Sequence, residues 1–270
     1  MKKLILIFVA LSFFSVCFAG SIQDMHKAVI AGKNASTQTD YTVDANCQGA
    51  WLFADGLTDE SGEGNTLTDG GTVSYTTDRP DGFSTGKSID FDGSTDYIYI
   101  ATGDQSASFI PKDTATDFAF CYWAYHDTSV EADDILHAGY LLVYIDYDDV
   151  SGVQIQDTND DVDTNDTNAH ALTDWIHVCV SFDGSATELT TWASTDGGTF
   201  GDIEDGITDT FTNVNNLKLR ATNFALGARY DGGADFYDGH IYQPIIFNRE
   251  LLDDGSEAEE MYTYGIRGAD

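Results

Sequence analysis

The stretch that most constrains this chain is residues 88–100, S-I-D-F-D-G-S-T-D-Y-I-Y-I. Ile89 and Phe91 alternate with Ser88 and Asp90, and Ile98 and Ile100 alternate with Tyr97 and Tyr99. That period of two is the pattern of a half-buried strand. Between the two runs, Asp92-Gly93-Ser94-Thr95 carries turn chemistry, because Gly tolerates positive φ and an Asp side chain bonds the backbone that follows it. The stretch predicts two strands hinged on a turn, a β-hairpin.

The same pattern recurs along the chain. Strand candidates lie at 47–53, 118–124, 140–147, 175–182, 188–193, 217–220, 224–228 and 240–248, each bounded by Asx and Gly clusters. Pro244 falls inside the last and predicts an edge or a bulge there. Residues 55–73 read as a long polar loop. One helix is predicted near the C-terminus, where Ser256 and Glu259 have capping-box spacing and Gly265 can end the segment.

The first twenty residues have Lys2 and Lys3, an unbroken apolar run and small residues at its end. They predict a signal peptide at 1–19, a leader at 20–46 and one domain at 47–270, hence an exported protein. Lipid attachment at Cys17 is the lesser alternative, since Phe14-Ser15-Val16 fits poorly before a modified cysteine. No second long apolar segment follows, so no membrane span is expected in the mature chain.

The formal net charge is −34, a surface that repels nucleic acid and anionic lipid. Of the acidic residues, 37 are Asp and nine are Glu. Asp favours turns and supplies oxygen ligands for Ca²⁺, so two readings stay open: a calcium-containing β protein, or a salt-adapted surface with no metal. Three cysteines follow the predicted cleavage point, and export permits a disulfide. Cys121 and Cys179 both lie in strand patterns, so they either pair across neighbouring strands or serve as small buried hydrophobes.

Catalysis finds no support. Retaining glycoside hydrolysis needs two carboxyls about 5 Å apart on one face, whereas Glu188 has Thr190 and Trp192 at its alternate positions. The six histidines make no zinc spacing with Cys or acid, and no nucleophile elbow occurs. The run from Asp157 begins like a calcium loop but has Val162 where the sharp turn needs Gly, so it reads as a solvated loop.

Several separated pieces match one family in order: W-L-F at Trp51, D-E-S-G-E-G-N at Asp59, G-K-S-I-D-F-D-G at Gly86, D-F-A-F-C-Y-W at Asp117, W-I-H-V-C-V-S-F-D-G at Trp175, F-A-L-G-A at Phe224, F-Y-D-G-H-I at Phe236 and S-E-A-E-E-M-Y near the end. Together they resemble a laminin-G-like domain of the concanavalin A-like lectin and glucanase superfamily. The resemblance implies an all-β jelly-roll sandwich of two antiparallel sheets with one short C-terminal helix. It also implies a structural Ca²⁺ near the polar loop and the first turn, with Asp59, Asn65 and Asp92 as candidate ligands; the alternative is that these Asx side chains only cap their own turns. Ile241-Tyr242-Gln243 departs from the acidic residue the family carries there, and the segment 189–200 departs from its usual ornament.

For sugar binding, an aromatic platform with polar groups at its rim is required. Trp192, Tyr230 and Tyr237, beside Gly and Asp, are the candidates. The expected function is a secreted, non-catalytic module that binds a polysaccharide or glycoconjugate. The alternative is an extracellular structural or interaction component that meets a cell-surface protein and has no glycan ligand.

Overall fold

The computed structural model describes residues 38–54, 56–106, 109, 117–127, 133–138, 141–146, 150–156, 162–166, 174–210, 223–229 and 231–267. The expected signal peptide, the strand candidate at 217–220 and Tyr230 lie outside them. Two antiparallel sheets face each other. The larger has the order β13 (Glu204–Thr210), β12 (Glu188–Thr195), β11 (Trp175–Asp183), β6 (Phe118–His126), β15 (Asp238–Phe247), β4 (Ser88–Asp92) and β3 (Ser74–Thr76), with β1 (Cys47–Ala50) also on β15. The second has the order β10 (Val162–Asp166), β9 (Val150–Gln156), β8 (Leu141–Asp146), β7 (Asp133–Ala138), β14 (Phe224–Leu226), β5 (Ile98–Ile100) and β2 (Thr68–Asp69). One helix, α1 (Ser256–Tyr264), follows the last strand. The all-β sandwich with a short C-terminal helix is the expected architecture.

The stretch 88–100 is not a hairpin. β4 pairs with β15 and β3 in the larger sheet, while β5 pairs with β14 and β2 in the second. The turn at Asp92-Gly93 therefore arches from one sheet to the other. Alternation cannot tell the two apart, since Ile89, Phe91, Ile98 and Ile100 enter one common core in either case. Gly93 is required at the arch: its φ is +65°, and a Cβ there would lie 2.8 Å from the Cβ of Asp238. The calcium-like run also resolves differently, because Val162–Asp166 within it forms β10 against β9.

The central strands of the larger sheet are buried on both faces, which is why F-A-F-C-Y-W-A reads as a continuous apolar run. Phe118, Phe120, Tyr122, Ile176, Val178 and Val180 enter the core between the sheets. On the opposite face Ala119, Cys121, Cys179, Ile245 and Phe247 lie beneath Ala258 and Met261 of α1. Cys121 stands directly opposite Cys179 on β6 and β11, with Cα atoms 4.1 Å apart, and the two form a disulfide. That settles the open alternative in favour of pairing, and Cys47 is a buried free thiol. Pro244 lies at a bulge of β15, beside Gln243 at φ 48°. Gly255 rather than Ser256 is the N-cap, and the Asp254 carboxylate accepts from the Ser256 N–H at 3.0 Å. Gly255 sits at φ +70°, and a Cβ there would lie 2.7 Å from the Trp192 indole nitrogen. Gly265 ends the helix as expected.

Candidate functional site

Sheet register brings a row of side chains together on the outer face of the larger sheet. Trp175 pairs with Tyr125, Tyr125 with His240, His240 with Asp90, and Asp90 with Ser74. Their Cβ atoms point the same way because directly opposed residues share a face. The Tyr125 ring lies 5.7 Å from that of Trp175 and 5.5 Å from that of His240, and Trp175 and His240 are 6.0 Å apart. Tyr125 and His240 are partly exposed, whereas Trp175 is 6% exposed. The Trp175 indole N–H meets no acceptor among the described residues. Burial, then the carboxylates of Asp127, Asp78 and Asp174, raise the Tyr125 phenol above its ordinary range. Those carboxylates, of which Asp127 also lies beside His240, give the ring an acidic surrounding.

Beside the row, His240 Nε2 lies 3.4 Å from Asp127 Oδ2 and 3.9 Å from Asp90 Oδ1. Among the described residues this is the set of three acid, His or Cys side chains with ligand atoms mutually within 4.8 Å. A second hollow of about 270 Å³ opens farther along the same face, walled by Asp183, Glu188, Thr190, Glu250 and Asp253 with Trp192 at its floor. There burial and the neighbouring carboxylates of Asp183, Asp117 and Asp253 raise the Glu250 carboxyl.

The structure corrects the expected aromatic platform. Trp192 is 2% exposed and packs in the layer under α1, so it contributes only to the floor of the hollow and presents no open stacking platform. Tyr237 is 0% exposed, packs on Phe91 and His126, and donates its hydroxyl to the Tyr125 carbonyl. Neighbouring Gly and Asp made both look like loop residues, but β12 runs through Trp192 and Tyr237 leads into β15. The residues missed, Tyr125, Trp175 and His240, stand at the ends of strand runs that read as core: Trp175 and His240 open theirs, and Tyr125 follows directly after 118–124.

The three expected calcium ligands are not gathered into one group. Asp59 Oδ1 accepts from the backbone of Ala50 and Ser61, and Oδ2 accepts from the Ser61 hydroxyl and the Asn65 N–H. Asn65 donates to the Gln48 carbonyl and Ser106 Oγ and accepts from the Ser106 N–H. Asp92 accepts from the N–H groups of Ser94, Thr95 and Asp96 and from both hydroxyls. These are loop clamps: donors occupy the oxygens that a cation would need. For Asp92, burial alone would raise the carboxyl, but the N–H groups of Thr95, Ser94 and Asp96 together hold it well below the carboxylate range.

A folded-state pKa lowered in this way adds stability above the unfolded value near 4 and loses it as pH falls through the folded value. Asp92→Ala is therefore expected to cost about 1–2 kcal/mol at neutral pH. The gap to the parent should close below roughly pH 4. Added Ca²⁺ should leave the melt of the chelator-stripped parent unchanged, and a Ca²⁺-induced rise in Tm that Asp92→Ala abolishes would show that a cation shares the loop.

No protein-family profile matches the sequence, and no curated protein matches it. Among solved structures, the chain is similar to the binding domain of Paraclostridial Mosquitocidal Protein 1, with 14% identity and TM-score 0.59 over 80% of this chain and 52% of that one. It is similar to botulinum neurotoxin type C, in a structure titled for cell entry dependent upon interaction with two ganglioside molecules. That match has 11% identity and TM-score 0.61 over 83% of this chain and 52% of that one. It is also similar to a Trypanosoma rangeli sialidase mutant displaying trans-sialidase activity, with 14% identity and TM-score 0.58 over 90% of this chain and 36% of that one. The chain thus spans about half the length of the first two. At these identities the likeness is one of fold, a two-sheet antiparallel sandwich.

Proposed function

We propose that the chain is an exported, non-catalytic glycan-binding module of laminin-G-like type, and that it reads its ligand on the row of Trp175, Tyr125 and His240. The observation that carries this reading is the partly exposed Tyr125 ring, flanked by two more rings and rimmed by carboxylates. Apolar sugar faces pack on such rings, and sugar hydroxyls donate to carboxylates. The ganglioside-dependent neurotoxin of similar fold supports the reading in kind. The acidic rim turns it toward neutral or amino sugars, since a sialic acid carboxylate would face Asp78, Asp127 and Asp174. The non-catalytic part rests on β12, whose outer positions run Glu188, Thr190, Trp192 and so offer no paired carboxyls along one strand.

Binding to a panel of neutral, amino and anionic polysaccharides tests this. Neutral or amino glycans should be retained and anionic ones not. Tyr125→Ala should weaken binding roughly tenfold or more, while Trp192→Phe should leave it unchanged. Silence across the panel, or full binding by the Tyr125 variant, would overturn the reading.

A further inference from the structure

The geometry points to a zinc-class divalent metal site formed by His240, Asp90 and Asp127, at the end of the aromatic row. His240 and Asp90 are register partners on β15 and β4, so two of the three ligands stand on rigid, hydrogen-bonded backbone. Asp127 follows directly after β6, where its N–H donates to the Asp238 carbonyl and ties it beside them. A metal about 2.1 Å from each ligand atom separates neighbouring ligands by about 3.0–3.4 Å. The observed 3.4 Å and 3.9 Å from Nε2, with all three ligand atoms within 4.8 Å of one another, reach that geometry if the side chains draw in by about 1.4 Å at most.

Three further observations favour a cation. Among the described residues neither Asp90 nor Asp127 meets a Lys or Arg, and His240 is the one basic group beside them. The Ser74 hydroxyl donates to Asp90 Oδ2 at 3.0 Å, which turns Oδ1 toward His240 as an outer-shell partner does in metal sites. The rings of Tyr125 and Trp175 brace the His240 imidazole from the side. One imidazole and two carboxylates suit a first-row divalent ion, whereas Ca²⁺ wants six to eight oxygens. On the far edge of the ring, Nδ1 meets no acceptor among the described residues. A metal ligand usually donates that N–H onward, so its lack here places affinity on the order of micromolar rather than nanomolar. Asp127 is exposed, which leaves coordination positions open to solvent beside the row.

The site does not depend on the glycan reading, and metal alone tests it. The chelator-stripped full chain is titrated with ZnCl₂ by calorimetry, with no sugar present. One equivalent should bind and raise Tm, and millimolar Ca²⁺ should not displace it. Asp127→Asn, at an exposed position without core contacts, should keep the parent's Tm and lose roughly tenfold or more in affinity, as should His240→Gln. Co²⁺ should quench tryptophan emission in the parent and not in these variants, because Trp175 lies 6.0 Å from His240. Absence of binding, or unchanged affinity and quenching in both variants, would overturn the assignment.

Discussion

Trp51→Ala is expected to lower the unfolding free energy by about 3–5 kcal/mol, a large share of the roughly 5–15 kcal/mol that holds a domain folded. Trp51 is 0% exposed and stacks on Phe224 at 5.8 Å, with Phe109 edge-on at 6.4 Å. It thus joins the segment after β1 to β14 in the opposite sheet. Its indole also donates to the Asn65 carbonyl at 3.1 Å, and a Cβ on Gly49 would fall on the ring. Truncation opens a large cavity and strands a buried carbonyl at the same time. Trp51→Phe keeps most of the ring but still orphans that carbonyl, so it should cost about 1–3 kcal/mol. Denaturant melts measure both, and an alanine variant within about 1 kcal/mol of the parent would show that the sandwich closes without this contact.

Arg249→Met carries the second large effect. The guanidinium bonds Asp44 at 2.8 Å and Glu257 at 2.7 Å, donates to the Glu250 carbonyl and lies 4.9 Å over the Phe247 ring. It clamps the entry to β1, the exit from β15 and the first turn of α1 together. With side chains 23%, 22% and 15% exposed, the two ion pairs are screened less than surface pairs and more than core ones. Losing the arginine leaves two carboxylates facing each other, and a cost of about 2–4 kcal/mol is expected after allowing for that exposure. Arg249→Lys keeps the charge without the planar fork and should fall between. Rising salt should narrow the gap between parent and Met variant, and a gap indifferent to salt would mean that packing on Phe247 carries the effect.

Much of the architecture was legible in the sequence because apolar alternation reports which residues are buried. It does not report which sheet a strand joins, and so Ile89, Phe91, Ile98 and Ile100 were read as a hairpin when they line two walls of one core. The strong runs of β6 and β11 were found for their apolarity, yet the same apolarity concealed their second face. Tyr125 and Trp175 share an outer face with Cys121 and Cys179, and only the β6–β11 register shows that the row extends to His240. Trp192 and Tyr237 failed as platform residues because nearby turn residues do not expose a side chain that the strand itself turns inward. The metal triad joins residues 90, 127 and 240, a separation that spacing rules cannot bridge.

The outermost strand of the larger sheet among the described residues, β13, reads E-D-G-I-T-D-T. An unpaired strand edge is an invitation to another copy, and Ile207 at 49% exposure adds an apolar foothold. Two such edges can meet only by bringing their carboxylates side by side, so the acid that crowds this chain acts as a guard against self-association. That guard is a matter of protonation. Charge should therefore keep the protein dispersed at neutral pH, and acidification below the carboxylate range should make the same edge a template for aggregation.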